Sequence, residues 1–188
     1  MELASEICYE RAMTDVEQQA IDTFGNWLRG LADDTRLIAD VVADESVPSS
    51  VRRPLAGSLN YLFKSLDLID DGIEGLGFLD DSFVLRVAAE HAKSVGPLPE
   101  NLLALAEDAG LIREALGDLY GRLDKFVASL VDSSVRGRTV EAIVNQTEVR
   151  EDLLGDVRGW ASRYTPPAFV MDEQGLVKLR SFLAAKLP

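Results

Sequence analysis

Residues 14–42 read TDVEQQAIDTFGNWLRGLADDTRLIADVV, and this stretch decides the fold. Thr14-Asp15-Val16-Glu17 is a capping box, in which the Thr14 hydroxyl and the Glu17 carboxylate each satisfy a backbone donor at a helix start. Behind it Val16, Ala20, Phe24, Trp27, Leu31, Ile38 and Val42 recur at intervals of three, four or seven, on one stripe of a helix. Gly25 and Gly30 are the positions at which that helix would bend.

The same periodicity extends outward. Glu45-Ser46-Val47-Pro48-Ser49-Ser50 has the turn and capping residues of a helix boundary, and Val51, Leu55, Leu59, Leu62 and Phe63 restart a stripe, with Pro54 placed in its first turn. From Ser65 to Asp81 we expect a short helical turn and then a loop. Asp80 or Asp81 would cap the next helix, carrying Val84, Leu85, Val87, Ala88 and Val95 and stopped by Gly96-Pro97-Leu98-Pro99. Two more helices are predicted between Glu100 and Asp132, joined near Gly110 or Gly117. Val140, Ile143, Val144, Thr147, Leu154, Val157 and Ala161 fit one helix face ended by Pro166-Pro167. Asp172 caps a last helix whose stripe, Leu176, Leu179, Phe182, Leu183 and Leu187, would dock on the body or on another chain. No sustained period-two alternation occurs, so strands should be few or absent. The expectation is an all-α, compact bundle of six to eight helices forming a single domain over residues 1–188.

Composition narrows the function classes. With 32 acidic and 19 basic residues the net charge is −13, which repels nucleic-acid phosphates and anionic lipid. Arg52-Arg53 and Arg136-Gly137-Arg138 are the only local basic clusters, and two short clusters suit helix ends better than a nucleic-acid interface. No bilayer-length apolar run is present, so no membrane span is expected. The single cysteine, Cys8, and an amino terminus acidic where a secretory signal would be basic point to a cytoplasmic protein. Glu6 and Glu10 beside Cys8 would raise its thiol pKa and leave it inert.

The candidate site is the acidic segment. Between Ser65 and Phe83 stand Asp67, Asp70, Asp71, Glu74, Asp80 and Asp81 with no basic residue. If residues 67–71 were helical, Asp67 and Asp71 would lie one turn apart on one face, where like charges repel unless something neutralises them. A hard divalent cation, an Arg or Lys from elsewhere in the fold, or proton uptake would each do so. The metal reading uses Asp67, Asp71, Asp80 and Asp81; the plainer reading makes them helix caps and solvated loop acids.

Leu59, Tyr61-Leu62, Asp67-Leu68-Ile69, Asp71 and Leu76-Gly77-Phe78-Leu79-Asp80-Asp81 resemble the central segment of the YkvA-type bacterial family, a domain of unknown function, over residues 48–95. The resemblance implies a helical fold and marks the acidic segment; the family brings no established activity with it. Where the family usually has prolines around the first motif, this chain has Leu66, Asp70 and Glu74, which makes the loop more acidic and less rigid.

Other candidates are weaker. His91, the only histidine, lies about three turns past Asp80 and has no partner placed near it by the sequence, so it reads as an ordinary helical residue. Gly72, Gly75 and Gly77 match neither phosphate-binding fingerprint, and Trp27, Trp160, Tyr61 and Tyr120 fall at core spacings. With no nucleophile, base and orienter in view, the expected function is a non-enzymatic helical protein-interaction module without a cofactor. Its partner would be a protein with a basic face, or a second copy engaged through the last helix. The alternative is a divalent-metal-binding protein or metal-dependent hydrolase built on residues 67–81.

Overall fold

In a computed structural model, which describes residues 14–188 except Leu66 and Glu74, the protein is all-α, as its periodicity predicts. The first element, α1 (Asp15–Ala43), runs unbroken for 29 residues. Its capping box is formed: Glu17 N–H donates to the Thr14 hydroxyl at 3.2 Å, and Thr14 N–H to the Glu17 carboxylate at 3.0 Å. Gly25 does not bend it. A Cβ there would meet the Phe169 ring at 2.8 Å, so the glycine serves a close crossing of the chain over α1.

Helix α2 (Ser49–Tyr61) begins at Pro48, earlier than Pro54 alone would suggest. Pro54 therefore sits in the second turn and not the first, and Ser50, whose carbonyl it deprives of a donor, is an exposed residue. Helix α3 (Leu79–Val95) is the axis of the molecule, with every residue from Leu79 to Ala89 buried. It packs on α2 and on α4 (Glu100–Glu107). A turn at Asp108, whose backbone stays right-handed helical, leads straight into α5 (Ala109–Leu116). The junction with α6 (Tyr120–Ser129) falls at Gly117, whose φ of +55° favours glycine.

A two-residue hairpin follows, β1 (Ser134–Val135) with β2 (Arg138–Thr139), the only sheet among the described residues. The single helix expected over residues 140–161 is divided into α7 (Val140–Asn145) and α8 (Thr147–Arg163) by an extended Gln146. Apolar spacing alone could not register that break. Buried Arg150 stabilises it by donating to the freed Val144 carbonyl at 3.0 Å and pairing with Glu45. Helix α9 (Glu173–Lys186) is capped by Asp172, which accepts from Gly175 N–H at 2.8 Å, and Leu176, Leu179, Leu183 and Leu187 seat it on the body.

Two apolar clusters flank α3. One joins the first half of α1 to α5, α6 and α9; the other joins its second half to α2, α4, α7 and α8. Arg86 of α3 locks them together. Only 2% exposed, it donates to Asp34 of α1 at 3.0 Å, to Asp108 at 3.1 Å and to the Ser82 carbonyl, and it stacks on Trp27 at 4.1 Å. No helix among the described residues is long and apolar enough to cross a membrane.

Candidate functional site: an acidic centre at the start of α3

The described residues between Leu62 and Phe78 form a series of turns, and residues 67–71 are not helical. Side chains replace the helical ladder. Tyr61, the last residue of α2, donates its hydroxyl to Asp80 Oδ2 at 2.7 Å and accepts from Leu68 N–H at 3.0 Å. Ile69 N–H donates to the same Asp80 oxygen at 3.1 Å. These three bonds tie the Asp67-Leu68-Ile69 segment to both helices, and Leu68, Ile69 and Leu76 are buried beneath it. Asp70 closes the next turn by accepting from Gly72 N–H at 2.8 Å.

Gly77 and Phe78 set the entry to α3. A Cβ on Gly77 would lie 2.2 Å from the Asp71 carbonyl oxygen, so only glycine allows the two strands of the loop to touch. Phe78 adopts a left-handed φ of +65° and stands at the helix cap position. Neither Asp80 nor Asp81 is the cap, contrary to the sequence expectation. Both lie in the first turn, where the partial positive charge of the helix end favours a carboxylate.

Here the two aspartates diverge. Asp80, 1% exposed, is an anchor through Oδ2, while its Oδ1 is buried without a hydrogen-bond partner. Asp81, 6% exposed, makes no hydrogen bond or ion pair among the described residues. Near it stand Phe78, Trp160 and Tyr164, three rings in mutual contact, and the Tyr164 hydroxyl donates to the Leu28 carbonyl at 2.8 Å. The negative fields of Asp81 and Asp71 add to burial in raising the Tyr164 phenol, which places this ring beside the centre.

The acids perturb one another. Burial pushes Asp81 well above the usual carboxylate range, reinforced by Asp80, Asp71 and Asp67. Asp80 rises to about 6, mainly through burial and against its bonds to Tyr61 and Ile69. Asp71 also rises to about 6, through burial and then the charges of Asp67, Asp80 and Asp70. Burial and Asp70 raise Asp67, with Lys64 opposing. The four residues singled out by the sequence thus share one neighbourhood, Asp80 and Asp81 inside it, Asp67 half-buried and Asp71 exposed on the loop. They do not form a closed shell: no three His, Cys, Asp or Glu side chains among the described residues stand together as a metal-ligand set.

The apolar spacing places Tyr61 in the core, and nothing in its neighbouring residues signals a hydroxyl shared between a loop amide and Asp80. Tyr164 was missed altogether, because nothing local ties it to a loop some ninety residues earlier. His91 Nε2 lies 2.6 Å from Asp124 Oδ1, linking α3 to α6 away from the acidic centre. Cys8 lies outside the described residues. No protein-family model, curated protein or solved structure matches this chain.

Proposed function

We propose that this helical domain is a non-enzymatic binding module whose acidic centre takes up a hard divalent cation through Asp67, Asp71 and Asp81, with Asp80 as the fixed support. The observation that carries the reading is Asp81, a carboxylate on a residue 6% exposed whose side chain makes no hydrogen bond or ion pair among the described residues. A buried charge of this kind is costly unless it is neutralised, and its nearest neighbours are further acids. Oxygen-only donors select magnesium, calcium or manganese over softer metals. The loop supplies the adjustment needed to complete a shell, since Asp67 and Asp71 have no hydrogen bonds holding their side chains.

The absence of catalysis in this reading rests on the hydroxyls beside the carboxylates. Tyr61 and Tyr164 are both hydrogen-bonded to neighbours and both raised in pKa, so neither offers a ready nucleophile. The resemblance of residues 48–95 to the YkvA-type family is consistent with it, because the quoted motif residues are those that build the loop. The chain's charge of −13 favours a protein partner with a basic face, in a complex that weakens with salt. Self-association would have to use groups other than the α9 stripe, which the body covers; Val170 and Val177 remain exposed.

Thermal unfolding with magnesium, calcium or manganese, after removal of trace metal, tests the proposal. Saturation at a hundred times the dissociation constant adds about 2.7 kcal/mol, or roughly 5–10 °C for a chain of this size. Asp81→Asn should abolish the rise, and Asp70→Asn, which removes a turn acceptor and a neighbouring charge but no proposed ligand, should keep most of it. A wild-type melting temperature indifferent to all three ions would end the reading.

A further inference from the structure

On the far side of the same loop, where α2 ends, Phe63, Lys64 and Ser65 face Ser134, Val135 and Arg136 of the hairpin across a cleft of about 300 Å³. We propose that this cleft binds a tetrahedral oxyanion the size of a phosphate monoester, gripped by Lys64, Arg136 and the hydroxyls of Ser65 and Ser134.

The argument is one of unused donors. The Lys64 ammonium lies over the Phe126 ring at 5.2 Å and the Tyr61 ring at 5.9 Å, yet it forms no ion pair among the described residues. Asp67 is near enough to feel its charge without contacting it. Ser65 and Ser134 are exposed, and their hydroxyls make no hydrogen bond among the described residues. Arg136 is 58% exposed; its guanidinium sits 5.0 Å from the Phe63 ring and shares Asp156 with Arg138. Arg138 stacks on the same ring at 5.5 Å, is 5% exposed, and keeps Nε and Nη2 without partners. Stacking on an aromatic face leaves a guanidinium's edge donors free and holds the fork in place, which suits it to multidentate oxyanion binding.

The backbone adds an independent indication. Arg136 and Gly137 form the two-residue turn of the hairpin with φ of +51° and +80°. Glycine adopts such angles freely, whereas a side-chain-bearing residue is strained there, and strain of this kind collects at functional positions. An arginine where glycine would be easier places a long cation over the cleft.

The test uses the full chain in chelator, which keeps it separate from the cation proposal, with ionic strength fixed by sodium chloride. Inorganic phosphate and O-phosphoserine are titrated while amide shifts of Ser65, Ser134 and Arg136 are followed by NMR. Saturable shifts are expected, with affinity about tenfold weaker in Lys64→Gln and in Arg136→Gln and unchanged in Arg158→Gln, an exposed arginine outside the cleft. Arg136→Gly, which relaxes the turn while removing the cation, should match Arg136→Gln. Tighter binding of phosphoserine assigns a phosphorylated organic ligand, and equal binding assigns the free ion. Shifts that never saturate, or an equal loss in Arg158→Gln, would overturn the proposal.

Discussion

Replacing Asp81 by asparagine tests the buried charge most directly. Asp80 next to it sets the scale. A carboxyl at 1% exposure raised from 3.8 to about 6 changes folding free energy by about 3 kcal/mol, at about 1.4 kcal/mol per pH unit. Asp81 is raised in the same direction, by burial and then by three acids, without hydrogen bonds to soften the effect. The sign follows from proton uptake. With the folded pKa above the unfolded one, the native state binds the extra proton, so stability is fully present below about 3.8 and is lost as pH rises through the folded value. Asparagine does not titrate, but it buries an amide with unmet donors, which costs about 1–3 kcal/mol. On the Asp80 scale, Asp81→Asn should therefore gain about 1–2 kcal/mol on wild type between pH 5 and pH 8, ending at pH 8 between equal to wild type and about 2 kcal/mol more stable. Urea unfolding in chelator at both pH values, with an unchanged denaturant slope, reads the difference. An identical effect at pH 5 and pH 8 would mean that the native state already compensates the Asp81 charge, and the reasoning would fail.

Further substitutions probe the frame. Arg86→Met should destabilise by about 3 kcal/mol or more, because it leaves Asp34 and Asp108 without their shared cation; chemical denaturation measures it. Gly77→Ala drives a Cβ into the Asp71 carbonyl and should cost about 2 kcal/mol or more, while also weakening any cation-induced rise in melting temperature. Tyr61→Phe removes the hydroxyl joining Leu68 N–H to Asp80 and should cost about 1–3 kcal/mol, with faster hydrogen exchange at the Leu68 amide as its local signature.

Much of this architecture was legible because one rule governs it. Val16 through Val42 bury a stripe, and the capping box at Thr14 and Glu17 fixes where the stripe begins; both are local, so both can be read from a window of residues. The failures come where a distant group decides. Gln146 breaks a helix that its neighbours' periodicity would continue; Arg150 donates to the carbonyl this frees, and Arg150 is itself held by Glu45, a hundred residues away. Residues 67–71 carry a helical spacing of acids, but Tyr61 and Asp80 offer their amides better acceptors than a first helical turn could. For the proposed site, the sequence pointed to four aspartates that fold into one neighbourhood but could not divide their roles, since Asp80 and Asp81 are adjacent and chemically identical.

That division is the physical core of the functional argument. Folding the loop requires an acceptor for the Ile69 amide and the Tyr61 hydroxyl, and Asp80 Oδ2 provides it. It requires a close approach at residue 77, and glycine provides it. Nothing in that list needs a charge at Asp81, Asp71 or Asp67, and gathering them beside Asp80 works against stability at neutral pH, with half-buried Asp67 and exposed Asp71 discounted for solvent screening. The helix end offsets part of the cost at Asp81 through about half a positive charge, but that same half-charge is already engaged by Asp80 one residue earlier. Asparagine at Asp81 would fill the same space without the repulsion. Three carboxylates that the fold does not use, gathered where they raise one another's pKa, are the ground on which the cation proposal stands.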